Sequence, residues 1–103
     1  MAVKAAFLFL SPQGDFLKDR TVLKTPDIEL HVIGCKCYQE ASEIAKKLLD
    51  EKIEVIELCG GFGNLGIAEI VKAIENKIPI GAVRFDIHPA LNNSSGDKLF
   101  FKD

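Results

Sequence analysis

Residues 3–10, VKAAFLFL, are apolar almost without interruption. A strand with one wet face alternates apolar and polar side chains, and this run does not. It suits a strand covered on both faces, as in a parallel sheet. The run from Ile53 to Cys59, IEVIELC, reads the same way, and Pro79 to Ile87 gives a last strand. Helical periodicity fills the gaps between them. From about Gln39 to Lys52, Ala41, Ile44, Ala45, Leu48 and Leu49 make one apolar stripe. Glu40 and Glu43 come early and Lys46 and Lys47 late, which complements the helix dipole. From about Asn64 to Asn76, Ile67, Ile70, Val71 and Ile74 form the inner face, with Gly63 or Asn64 as N-cap. This succession predicts an α/β fold, a single domain over residues 1–103 with a mainly parallel sheet and two crossover helices.

Between the first strand and the first helix, Ser11-Pro12-Gln13-Gly14-Asp15 is turn chemistry. A structureless loop from there to Asp27 would be long for so small a domain. The better parse is a small N-terminal β-hairpin, with strands Thr21–Lys24 and Ile28–Cys35 joined at Thr25-Pro26-Asp27. Ile28, Leu30 and Val32 alternate with Glu29 and His31, so the second strand is half-exposed and near a sheet edge. Asn92 to Gly96 reads as a loop. The apolar tail Leu99-Phe100-Phe101 must fold back on the core or dock on another subunit.

A chain of 103 residues has room for one core. Thirteen basic residues against 15 acidic ones give a net charge of −2, not the basic surplus of a nucleic-acid binder. No stretch is long enough to span a bilayer, and the apolar run Ala5–Leu10 is shorter than a signal-peptide core. The three cysteines, Cys35, Cys37 and Cys59, are odd in number and contain no C-x-x-C. That pattern fits neither a disulfide scaffold nor a zinc knuckle and points to reduced cytoplasm. His31, Cys35, Cys37 and His88 match no standard metal spacing.

The chemistry gathers at one turn. Gly61-Phe62-Gly63-Asn64-Leu65-Gly66 reads G-x-G-x-x-G between a strand and a helix, with Asp86 twenty positions beyond Gly66. Glycines let backbone approach a phosphate, and free N–H groups at a helix start attract it. A dinucleotide site would need further βα units that so short a chain lacks, so a smaller anion fits better. The bland alternative is a tight turn with no ligand. Arg84, Asp86 and His88 alternate along the last predicted strand and share one face. Glu57 and Cys59 share a face one strand earlier. Glu57 sits inside an apolar run, where an unpaired carboxylate is costly, so it calls for a partner such as Arg84. The bland reading of Arg84 and Asp86 is a surface ion pair.

Three functional readings follow. The leading one is a small-molecule binding domain for an anionic ligand, held by Gly60, Gly61, Gly63, Asn64, Arg84 and Asp86. The second is a small lyase, isomerase or hydrolase of a small acid, with Glu57 or His88 as acid/base and Cys59 as a nucleophile. The third is an oligomeric assembly protein with no ligand. A homo-oligomer is expected under each, and no cofactor is identified.

Four segments carry a resemblance: the first apolar strand, Thr25-Pro26-Asp27-Ile28-Glu29-Leu30, Ile56-Glu57-Leu58-Cys59-Gly60-Gly61-Phe62-Gly63, and Pro79-Ile80-Gly81-Ala82-Val83-Arg84-Phe85-Asp86. Together they resemble a family of small prokaryotic proteins catalogued as a domain of unknown function. The ELCGGFG segment is its most specific part. The resemblance implies a stand-alone cytoplasmic domain and brings no catalytic residue with it.

Overall fold

A computed structural model describes residues 2–101. The chain runs β1 (Val3–Leu10), β2 (Arg20–Lys24), β3 (Ile28–Cys35), α1 (Tyr38–Asp50), β4 (Val55–Leu58), α2 (Asn64–Ala73) and β5 (Ile80–Ala82). A 3-10 turn at Pro89–Leu91 and a short helix, α3 (Gly96–Phe100), follow. The five strands form one sheet in the order β2-β3-β1-β4-β5. The β2–β3 pair is antiparallel and every other pair is parallel. The expected hairpin is present, with Thr25 closing its turn: the Thr25 Oγ1 accepts from the amides of Asp27 and Ile28 at 3.2 and 3.0 Å.

Strand alternation sorts the sheet into two faces. In register, Ile33, Leu8 and Leu58 lie side by side, and next to them His31, Ala6, Ile56 and Ile80. Of these, Ala6, Leu8, Ile33, Ile56 and Leu58 form the core with Ala41, Ile44, Ala45, Leu48, Ile70 and Ile74 of α1, α2 and the residue that ends it, and Ile80 packs against it. Both crossovers move along the sheet in one direction, β3 to β4 and β4 to β5, so right-handed connections place both helices on one face. The opposite rows are Thr21, Val32, Phe7, Glu57 and Gly81, then Leu23, Leu30, Ala5 and Val55. Among the described residues no helix covers them, and apart from Ala5, which its neighbours bury, they are half-buried or exposed. The expectation that the first strand is covered on both faces is therefore met on one face within this chain.

The last strand is much shorter than the apolar alternation suggests. β5 stops at Ala82, and the final ladder contact beyond it is Val83 N–H to the Leu58 carbonyl at 3.1 Å. Val83, Phe85 and Ile87 are exposed, so their alternation with Arg84, Asp86 and His88 reflects no buried strand. The tail folds back through one residue. Phe100 is buried against the Tyr38 ring at 5.5 Å, while Leu99 and Phe101 remain exposed. Among the described residues no helix is long and apolar enough to cross a membrane.

Candidate functional site

The glycine turn between β4 and α2 is a buried junction. Gly60, Gly61, Phe62 and Gly63 are all buried. None of the glycines has a positive φ, so their role is close approach. A Cβ on Gly63 would lie 2.5 Å from the Asp97 carboxyl, and one on Gly66 2.4 Å from the Tyr38 ring. A Cβ on Gly60 would lie 2.1 Å from the Phe85 ring. The chain's own C-terminal segment thus roofs the turn.

Asp97 supplies the anion that the helix start attracts. Its Oδ2 accepts from the Leu65 amide at 3.0 Å and its Oδ1 from the Gly66 amide at 3.1 Å. The Tyr38 hydroxyl accepts from the Gly63 amide at 2.9 Å and donates to Asp97 Oδ1 at 2.8 Å. Helix α2 has no side-chain cap of its own, since its N-cap is Gly63. Asp97 caps it from a distant part of the chain, and with Tyr38 it satisfies the orphan N–H groups of Gly63, Leu65 and Gly66. Burial pushes the Tyr38 hydroxyl well above its usual range, and the nearby Asp97 carboxylate adds to the rise. Tyr38 is therefore a protonated donor throughout the physiological range. Ser95 in turn caps α3, accepting from the amides of Asp97 and Lys98 at 3.0 and 3.4 Å, and so aims Asp97 at α2.

Beside this junction, Arg84 is held from two sides. Its Nε donates to Asn64 Oδ1 at 3.0 Å, and its Nη1 donates to Asp86 Oδ1. These three residues, with Gly63, Phe85, Ser95 and Asp97, line a depression of about 100 Å3. Asn64, at the start of α2, lies beside Arg84 and Asp86, which stand on a loop beyond β5 and not on a strand face.

Glu57 does not join them. It lies on the uncovered sheet face and is exposed, paired in register with Phe7 and Gly81. Its expected partner, Arg84, is bonded to Asp86 and Asn64 instead. The inference failed because Ile56 and Leu58 owe their burial to the helix side, and alternation turns Glu57 the other way.

Cys59 and His88 flank Gly60 without touching one another through a hydrogen bond. Cys59 Sγ accepts from the Leu10 and Gly61 amides at 3.4 and 3.2 Å. His88 Nδ1 accepts from the Ala90 amide at 3.1 Å and caps the 3-10 turn, while its ring meets Phe85 edge-on at 4.7 Å. Cys35 is fully buried, and burial pushes its thiol up to about 12. Among the described residues no cysteine is disulfide-bonded and no cluster of three or more His, Cys, Asp or Glu is placed to hold a metal.

A family model matches residues 3–98, from the start of β1 into α3. The chain belongs to a family of unknown function, DUF6506. No curated protein and no solved structure matches it.

Within this DUF6506 chain, Tyr38, Ser95 and Asp97 are the residues that sequence reasoning missed. Tyr38 is the only tyrosine, and it stacks on Phe62 at 5.6 Å. Ser95-Gly96-Asp97 carries a weak signal, a serine N-cap followed by an acid in the first turn. That pattern announces α3 but not that Asp97 would reach across to α2. The pairing is tertiary, 31 and 32 residues apart in sequence.

Proposed function

We propose that this protein binds a small ligand through an anionic group, with Arg84 as the anchor. The observation that supports the reading is the posture of Arg84. Asn64 holds its Nε at the rim of the depression lined by Gly63, Phe85 and Ser95. The Asp86 partner is largely exposed, as is Arg84 itself. Exposed ion pairs of this kind contribute about 0–1 kcal/mol, so a ligand carboxylate or phosphate can replace Asp86 at small cost. Arginine suits that exchange because its fork donates to two oxygens at once.

The role of the glycine turn in this reading is narrower than its sequence suggests. The amides of Gly63, Leu65 and Gly66 already serve Tyr38 and Asp97. They position the depression and are not the ligand's partners. At about 100 Å3 the depression takes a charged head group, with the rest of the ligand lying over Phe85. The enzymatic alternative has less support, because no hydrogen bond links Glu57, Cys59 and His88 among the described residues.

The test is a thermal-shift panel of inorganic phosphate, small mono- and dicarboxylates and nucleoside monophosphates, each at about 1 mM. At least one should raise the melting temperature of the wild type, and Arg84→Gln should abolish that rise while leaving the unliganded melting temperature close to wild type. A rise of equal size in Arg84→Gln, or no rise with any compound, would refute the reading.

A further inference from the structure

We infer that the ligand of the depression beside the glycine turn is an α-amino acid with an apolar side chain. Its carboxylate pairs with Arg84 and its ammonium group with Asp86. The inference rests on Arg84 as the anchor of the anionic group and names the class of molecule that carries that group.

The charges around the depression decide between a bare anion and a zwitterion. Its lining holds one cation, Arg84, and two acids, Asp86 and Asp97. Asp97 is committed to the Leu65 and Gly66 amides and the Tyr38 hydroxyl, which hold it in place and leave its charge in the wall. A bare anion that takes the Arg84 guanidinium strips Asp86 of its partner. Asp86 is tethered two residues from Arg84, so the newcomer then faces two carboxylates across a single cation. Like charges brought together in a site oppose binding. A ligand that brings its own cation removes the mismatch, because its ammonium group gives Asp86 a new partner.

The spacing of the groups suits an amino acid. Arg84 Nη1 donates directly to Asp86 Oδ1, so the site's cation and anion are neighbours. The ammonium and carboxylate of an α-amino acid are neighbours too, on one carbon. Set against each other, the two pairs make a ring of alternating charge. The donors for the carboxylate are in place. Arg84 Nη2 makes no hydrogen bond among the described residues, since Nε serves Asn64 and Nη1 serves Asp86. Ser95 Oγ accepts from the Asp97 and Lys98 amides, and its own proton is uncommitted among the described residues. A volume of about 100 Å3 equals that of roughly three waters, enough for a head group of a few heavy atoms. The side chain must then lie outside it, against Phe85, whose ring is 41% exposed at the rim. That surface selects an apolar side chain.

Thermal-shift titrations to about 10 mM test the pairing by setting each amino acid against its two halves. Phenylalanine is compared with hydrocinnamate, which lacks the ammonium group, and with phenethylamine, which lacks the carboxylate. Leucine is compared with isocaproate and isoamylamine in the same way. At least one of the two amino acids should bind about fivefold or more tightly than its deaminated acid, the scale of one charge-assisted contact, and the amines should give no shift. Asp86→Asn should erase this preference while keeping or enlarging the shift given by the deaminated acid, and Arg84→Gln should erase both. Asp86 is 80% exposed, so its replacement leaves the unliganded melting temperature close to wild type. Equal shifts from an amino acid and its deaminated acid, each lost in Arg84→Gln, overturn the zwitterion and leave the Arg84 anchor standing. The same holds if phosphate shifts the protein through Arg84 and neither amino acid does. A shift from an amine alone, or a preference that Asp86→Asn retains, also overturns the pairing. No shift from any of these compounds or from phosphate refutes the anchor and the zwitterion together.

Discussion

At the scale of single residues, the glycines separate into two kinds by what their missing side chains make room for. Gly96 has backbone against it: a Cβ there would lie 1.8 Å from the Gly61 carbonyl oxygen. Gly60 has a side chain against it, the Phe85 ring, which is 41% exposed and free to swing outward. The same substitution should therefore have unequal costs. Gly96→Ala forces α3 away from the turn and should lower stability by about 2–3 kcal/mol, an overpacking cost. Gly60→Ala should cost under about 1 kcal/mol, since the ring moves and a stiffer unfolded chain offsets part of the loss. Urea unfolding midpoints of the two variants measure the difference. Equal midpoints would mean that α3 is not seated on Gly61. The same local logic explains why G-x-G-x-x-G here is a poor guide to a nucleotide. Tight approach to an anion is what the pattern provides, and a carboxylate from the same chain uses it as readily as a phosphate does.

At the scale of elements, α3 is the piece that turns a strand-helix junction into a closed one. It has one turn and a half, too little to be stable alone, so packing must hold it. Phe100 is its anchor, 8% exposed and set against Tyr38, while Leu99 is 47% exposed. Phe100→Ala should cost about 3 kcal/mol and loosen the Asp97 cap, whereas Leu99→Ser should stay within about 0.5 kcal/mol. Hydrogen exchange at the Leu65 and Gly66 amides reads the cap separately from global stability: both should exchange faster in Phe100→Ala and not in Leu99→Ser. The legibility of the elements in sequence follows the same division between local and tertiary causes. β1, the hairpin, α1 and α2 are written in apolar periodicity and turn residues, and they fold where those patterns place them within a few residues. The segment from Pro79 to Ile87 alternates like a strand, but its pairing ends with the Val83 amide, and Phe85 and Ile87 are exposed beyond it. Of the site, Asn64, Arg84 and Asp86 were legible from their nearness to the turn. Asp97 and Tyr38 were not, because their meeting depends on how α3 docks and no local spacing encodes that.

At the scale of the whole molecule, the two faces of one sheet impose different demands. The helix side closes within the chain around Leu8, Ile33, Ile56 and Leu58. The other side keeps Phe7, Phe9, Leu30 and Val32 half-buried, with no helix among the described residues packed over them. A domain of 103 residues has a limited margin of stability, of order 5–15 kcal/mol, so water on that face matters to the folded state as a whole. If the homo-oligomer expected from the sequence covers it, folding and association are linked by mass action. The melting temperature should then rise with protein concentration, by a few degrees over a hundredfold range, and the rise should disappear in Phe7→Lys. Calorimetric scans at about 2, 20 and 200 µM test this. A melting temperature flat across that range in the wild type would mean that the sheet face is stable in water unaided, and the run VKAAFLFL would then need an explanation other than burial by a second copy.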